Sequence, residues 1–503
     1  MSSTSPFPFG IASGDPLPTR LIIWSRLSLD PPFNQSQDYP ITYQVSTNPS
    51  IEPLTTEGTA TTNSNQDYTI KVDVRNLQPN TIYYYRFLYQ NIPSDVGRTK
   101  TAPLPTDDVD FKFALVSCQH LQNGYFSAYR HLANISEVLD FIVHTGDSIY
   151  EYSREFNDSP TKQDYYRPIH QPPHECLNLE DYRQRYRQYL LEPELQLINK
   201  KLPWYYTWDD HEIADNASLT GSQNHNPRIH GSWRLRFEAA KRAWFEYHPV
   251  RNSRIERTAI YGKNGTFHIL DERSYRDEQI HKFSFRKFFH KKTILGSFQK
   301  QTLKNNLLVS SSSTPSAWQF IVSPVVFSEL SITPPLPISA LLNPLSTILS
   351  AGYTINPDQW DGYHAERKEL KRYIKKNGID NVVVLSGDIH CSMVNEIPEH
   401  SGRYWLNGKS VGIEFVTPSI CSDNFNEQSG NNSKEGSKTS RIIEKYLHFC
   451  NPHIQYLDID RHGYLIINVT SNYLEGTYMY VTDIRDSMAG IYVGQKVYIE
   501  KRK

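Results

Sequence analysis

Four short stretches of the chain gather side chains able to bind metal ions: Ser117-Cys118-Gln119-His120, Gly146-Asp147-Ser148-Ile149-Tyr150-Glu151, Trp208-Asp209-Asp210-His211-Glu212 and Gly387-Asp388-Ile389-His390. The third holds three acids and one imidazole in four consecutive positions. Charge at that density is not buried without a compensating cation. A multivalent ion supplies the compensation and brings the pKa of a bound water toward neutrality. Thiolate, phenolate and imidazole suit iron or zinc, whereas carboxylate and amide oxygens suit calcium, magnesium or manganese. Both sorts are present, so the simplest expectation is one softer metal beside one or two harder ones. Each stretch alone has an ordinary alternative: a small buried thiol for Cys118, a helix cap for Asp147, core rings for Tyr150 and His390, a solvated turn for Asp209 to Glu212. Their coincidence favours one shared site.

Such a site needs elements that bring its parts together. Phe113 to Val116, Phe141 to His144 and Val382 to Leu385 read as buried strands directly before three of the stretches, and the aromatic run Trp204 to Tyr206 precedes the fourth. The C-terminal ends of such strands are where open α/β sheets build sites. Helical patterns run over Leu179 to Tyr189 and Arg234 to Tyr247, with a polar loop around Gly221 to Arg228. The fold class is therefore α/β for residues 110–485. Before the Pro103 to Asp110 linker, runs such as Leu21 to Arg26, Ile41 to Val45 and Tyr68 to Val72 alternate as short strands. They predict a small antiparallel β-sandwich over residues 5–105. Tyr464 to Glu500 returns to strands, and the Pro-rich Ile332 to Ile355 and the polar Asn424 to Thr439 are expected as mobile cover.

A chain of 503 residues is too long for one ordinary core, in keeping with two domains. With 53 basic and 54 acidic side chains there is no broad basic track, which argues against a nucleic-acid partner and against a nuclease. The five cysteines lack short paired spacings, so neither a zinc knuckle nor a disulfide framework is indicated. Met1 to Pro8 has no basic stretch leading into an apolar run, and no window is long enough for a membrane span. The chain as written is expected to be soluble and unexported.

On these residues the sequence resembles the PhoD-like alkaline phosphatases, relatives of the purple acid phosphatases among the calcineurin-like metallophosphoesterases. The resemblance spans nearly the whole chain and includes, besides the four stretches, Phe9 to Pro16, Asp271-Glu272-Arg273-Ser274-Tyr275-Arg276-Asp277, Leu295-Gly296 with Gln299, and Asp358 to Tyr363. It implies an N-terminal β-sandwich before a metallophosphatase domain of two packed mixed β-sheets with flanking helices. It also implies Fe(3+) held by Cys118, Asp147, Tyr150 and His390, and Ca(2+) held by Asp147, Asp209, Asp210 and Asp388, with Asn216 as an added ligand. Other divalent ions stay open. His211 and Arg273 are expected to contact phosphoryl oxygens, where donors stabilise transition-state charge; a buried ion pair is the alternative for Arg273.

The expected activity is hydrolysis of a small phosphate monoester or diester by metal-activated hydroxide attacking phosphorus in line, without a phosphoenzyme. The competing expectations are a phospholipase D-like phosphodiesterase of the same class, and a non-catalytic metal- or ligand-binding protein. Members of the family are commonly exported, and no export signal is visible here. Oligomeric state is not readable from the sequence.

Overall fold

The computed structural model describes residues 5–29, 37–153, 167–251, 254–279, 291–313, 317–332, 356–428 and 437–501. Beyond Ile332, the expected Pro-rich cover lies outside the described residues, as do residues 429–436 of the second one. The flanks of that second segment are not loop: Phe425–Gln428 and Lys438–Cys450 are helices.

The first hundred residues supply β1 (Ile11–Leu17), β2 (Arg20–Arg26), β3 (Tyr39–Ser46), β4 (Thr56–Thr62), β5 (Thr69–Arg75), β6 (Ile82–Tyr89), β7 (Ile92–Pro93) and β8 (Gly97–Lys100). In β6 the buried Tyr83, Tyr85 and Phe87 alternate with more exposed neighbours, the period expected of a strand with one face on a core. That core joins Ile41, Val45, Tyr85 and Phe87 to Ile11, Leu21, Ile23 and Ile70. One layer is therefore β4-β3-β6-β7, with β8 on β6, and the other is β1, β2 and β5.

This second layer is shared with the rest of the chain. The later strands are β9 (Phe111–Val116), β10 (Phe141–His144), β11 (Pro203–Tyr206), β12 (Arg257–Tyr261), β13 (Gly265–Ile269), β14 (Trp318–Val322), β15 (Val382–Ser386), β16 (Ser392–Pro398), β17 (Ser410–Val416), β18 (Ile454–Asp458), β19 (Gly463–Val469), β20 (Tyr473–Val481) and β21 (Ile491–Glu500). β1 pairs in parallel with β11, Ser13 opposite Pro203 and Gly14 opposite Trp204. A nine-stranded sheet results, in the order β21-β20-β19-β9-β10-β11-β1-β2-β5, so residues 5–105 and 110–485 are joined by one sheet. A second sheet, β12-β13-β14-β15-β17-β16-β18, packs against it.

Strands covered on both faces read as unbroken apolar runs, which is why β9, β10 and β15 are legible in the sequence. In β9 and β10, Phe113, Leu115, Phe141 and Val143 meet Phe267, Phe320, Val383 and Leu385 of the facing sheet. The alternate residues Ala114, Val116 and Ile142 face a helical layer containing Tyr182, Tyr186 and Trp244. Leu303, Leu307, Leu370 and Ile374 form the helical layer on the far side of the second sheet. The Leu179–Tyr189 helix has its expected bounds, set by a reciprocal cap between Asn178 and Asp181. The Trp233–Tyr247 helix starts one residue earlier than its pattern.

Candidate active site

β9, β10 and β11 run parallel in the first sheet, as do β13, β14, β15 and β17 in the second. The loops leaving β9, β10, β11 and β15 carry Cys118, Asp147, Asp209 with Asp210, and Asp388 with His390. Cys118, Asp147, Asp388 and His390 all have left-handed backbone, with φ of 58°, 59°, 66° and 55°. For a non-glycine residue this costs about 1–3 kcal/mol. The turns bring each side chain back over its strand end, where Gly146 and Gly387 permit close approach. A Cβ on Gly146 would lie 2.5 Å from the Asp209 Cβ, and one on Gly387 would strike Ser117 and Thr145.

The donor atoms converge. One group joins Cys118, Asp147 and His390, another joins Asp147, Asp210 and His211, and a third joins Asp147, Asp209, Asp210 and Asp388; within each, the donor atoms lie within 4.8 Å of one another. Asp147 belongs to all three. Its Oδ2 lies 3.4 Å from Cys118 Sγ and 3.2 Å from Tyr150 Oη, and Tyr150 Oη is 3.2 Å from His390 Nε2. Edges of this length suit ligands bound about 2.0–2.3 Å from one ion. His390 Nδ1 sits 2.6 Å from the Asp423 carbonyl, which holds the ring proton there and leaves the Nε2 lone pair toward Asp147 and Tyr150. Ser422 donates to Tyr150 Oη at 2.8 Å.

The residues fit cations by charge as well as by spacing. Asp209 Oδ2 and Asp210 Oδ1 are buried without a hydrogen-bond donor among the described residues. Burial pushes Asp147 and Asp209 well above the usual carboxylate range and Asp388 up to about 7, and neighbouring acids add to each shift. Burial also opposes the charge on Asp210, but Arg273 and His211 overcome it and hold that carboxyl at about 2. Burial, reinforced by Asp147, pushes the Cys118 thiol and the Tyr150 phenol up, so a cation is what would make them anionic ligands. Burial moves His390 down to about 4, the neutral state a ligand requires.

Around the donors lies a supporting shell. Glu212 accepts the backbone N–H groups of Asp147, Ser148 and Asp209 at 2.9, 2.6 and 2.8 Å, tying the β10 and β11 loops together. His211 Nδ1 donates to Glu151 at 2.9 Å, and its ring stacks on Tyr150 at 4.3 Å. Burial alone would lower the His211 pKa, but Asp210, Asp147 and Glu151 raise it well above normal, which favours the protonated ring. Arg273 is fully buried. Its Nε donates to Asp209 at 2.5 Å and its two terminal nitrogens to Asp358 at 3.0 and 2.9 Å. Asn216 donates its backbone N–H to Asp210 at 2.6 Å and its side-chain amide to Gln223 at 2.9 Å.

Cys118, Asp147, Tyr150, Asp209, Asp210, His211, Asp388 and His390 thus meet in one place, with Arg273 beneath the carboxylates and Asn216 beside Asp210. Six partners of these residues are not among the site residues expected from the sequence: Glu151, Glu212, Asp358, Gln359, Ser422 and Asp423. The first four stand inside stretches already singled out, and Gln359 donates to Asp388. Ser422 and Asp423 carry no local signal.

A model of the PhoD-like phosphatase family matches residues 113–478, and a model of the PhoD-like phosphatase N-terminal domain matches residues 1–103. Alkaline phosphatase D of Bacillus subtilis (strain 168) is 32% identical over 507 residues, spanning 97% of this chain and 80% of that protein. The solved structure of PhoD superposes with a TM-score of 0.86 at 30% identity, covering 100% of this chain and 91% of that one. The purple acid phosphatase PPD1 from yellow lupin (Lupinus luteus) seeds shares the fold, with a TM-score of 0.58 at 13% identity over 98% of this chain and 73% of its own.

Proposed function

The chain belongs to the PhoD-like phosphatase family and is a metal-dependent phosphoric ester hydrolase, and from that premise we propose how its ligands divide between two kinds of ion. Cys118, Tyr150 and His390 with Asp147 take Fe(3+), and Asp209, Asp210 and Asp388 with Asp147 take Ca(2+), Asn216 adding a neutral amide oxygen to that set. The observation that carries this reading is the position of Asp147, whose carboxylate is common to every ligand group. The thiol and the phenol lie against its Oδ2 and the imidazole against the phenol, a donor set that suits iron. The other donors grouped with Asp147, those of Asp209, Asp210 and Asp388, are carboxylates, which suit a hard cation.

When bound, ions in this cluster acidify a water and neutralise charge on the phosphoryl oxygens. The protein's own groups do the rest. His211, held by Glu151 and charged, donates from its remaining ring nitrogen to an oxygen of the transferring phosphoryl group or of the departing ester. Arg273, bonded to Asp209 and Asp358, acts as a positioning residue that holds those carboxylates in register, the buried ion pair that was the alternative to a phosphoryl contact. Glu212 fixes the loops that present Asp147 and Asp209.

The test combines elemental analysis with turnover of a chromogenic phosphomonoester and diester at alkaline pH, before and after chelation. Iron with calcium should co-purify, activity should disappear on chelation, and the diester-to-monoester ratio reports the preferred ester. Asp147→Asn should lower turnover by at least ~10²-fold and release both ions while leaving the circular dichroism unchanged. Zinc alone in an active preparation would overturn the division of ligands.

A further inference from the structure

The Lys438–Cys450 helix has an inner face and an outer face of different chemistry. Inward, Ile443 and Leu447 pack on a cluster that Ile389, between Asp388 and His390, also touches. Outward, Ile442, Tyr446 and Phe449 are 68%, 48% and 66% exposed. Their i, i+4, i+7 spacing makes one stripe. Lys438 and Lys445 are exposed next to it, and all five residues fall within about 120° of the circumference at ~100° per residue. Glu444, the sole acid in the helix, is buried and bonded to Arg441 at 2.7 and 2.9 Å. The outer face therefore carries apolar bulk and positive charge with no negative charge. Tyr446 Oη donates to the Ile332 carbonyl at 2.7 Å, and Ile332, itself exposed, extends the apolar surface.

We propose that this face docks on the surface of an anionic lipid bilayer. Aliphatic and aromatic side chains flanked by lysines on one side of a helix match the acyl boundary and the phosphate layer of such a surface together. No helix among the described residues is long and apolar enough to cross a membrane, and the contact proposed is a peripheral one. Charge complementarity also discriminates against a second copy of the chain. A twofold pairing of this helix with itself brings lysines to lysines with no exposed acid on either helix to receive them. The contact does not depend on how the ions are assigned in the site.

The experiment is co-sedimentation of the full metal-loaded chain with vesicles of phosphatidylcholine mixed with phosphatidylglycerol, and of phosphatidylcholine alone, at low and high salt. Binding is expected to the mixed vesicles, weakened by salt. The double variant Ile442→Ser/Phe449→Ser should lose about tenfold or more in partitioning, and Lys438→Glu/Lys445→Glu should lose the preference for phosphatidylglycerol. Both should retain wild-type melting temperature and turnover of a soluble chromogenic ester. Wild-type protein that ignores both kinds of vesicle overturns the proposal, as does a serine variant that binds like wild type. Two further results also overturn it: a serine variant that melts earlier, which means the stripe is packed within the chain, and one that dissociates a dimer in sedimentation velocity, which means a second copy covers it.

Discussion

Glu151 is absent from every ligand group, yet the state of His211 depends on it. Its carboxylate receives His211 Nδ1, the Asp215 N–H and the Asn224 amide, at 2.9, 2.8 and 2.8 Å. Removing its charge takes away one of the three acids that raise the His211 pKa. For Glu151→Gln the alkaline limb of the turnover profile should therefore move to lower pH, because the imidazolium is lost sooner as pH rises. Turnover should fall by about 10- to 100-fold at unchanged metal content. An alkaline limb that stays in place would exclude His211 as the proton donor. Glu272 makes a different prediction. Burial pushes it up to about 8 from the ordinary 4.5, although Ser323, Val325 and Trp360 donate to it. A carboxyl whose native pKa is raised stabilises the fold fully below its unfolded pKa, and the contribution disappears as pH climbs through the native value. Melting temperature should thus decline between about pH 4.5 and 8, and Glu272→Gln should remove a part worth on the order of a few kcal/mol.

Between the strand and the donor atom lies a loop, and at the element scale these loops decide the site. The loops after β9, β10 and β15 turn through a left-handed residue within two or three positions of the end of a parallel strand, so the side chain that follows an apolar run is directed toward its counterparts on the neighbouring strands. Gly387 marks where the second sheet's loop presses on the first sheet's, against Ser117 and Thr145. Gly387→Ala should push these loops apart, with a cost of about 1–3 kcal/mol from overpacking. The larger effect should be on the metal site, because Asp388 would move away from Asp147. Titration of the apo-protein with calcium, read beside thermal melting, checks this: affinity should fall by more than stability does. A variant that melts early but binds calcium as tightly as wild type would mean the contact is purely structural.

At the scale of the molecule, the shared nine-stranded sheet makes the N-terminal layer part of the scaffold of the site. β1 covers the edge of β11, whose following loop carries Asp209 and Asp210, and Arg257 reaches from β12 to Asp15 on β1 at 2.7 Å. A fragment beginning at residue 110 would expose that edge and the apolar face beside it. It should aggregate or elute as oligomers in size-exclusion chromatography; a monomeric, active fragment would show that the boundary near residue 105 separates independent domains. Several features of this architecture are set by local chemistry and could be read without coordinates. The apolar runs of β9, β10 and β15, the acids and soft donors just after them, and the alternation of the first hundred residues all follow from side-chain period and donor type. By contrast, β12, β13, β14, β16, β17 and β18 interrupt their apolar runs with polar residues such as His268, Gln319, Asn395 and Glu414 and lack a distinctive period, so their order in a second sheet depends on packing against the first. The same holds for the partners of the ligands: Ser422 meets Tyr150 across 272 positions of sequence, and Arg273 meets Asp358 across 85. Donor chemistry and strand position are written in neighbouring residues, but which donor shares Asp147, and whether Arg273 faces substrate or carboxylate, is fixed by the convergence of loops from two packed sheets. That convergence is non-local, because it is determined by sheet order and burial, and only the folded chain contains it.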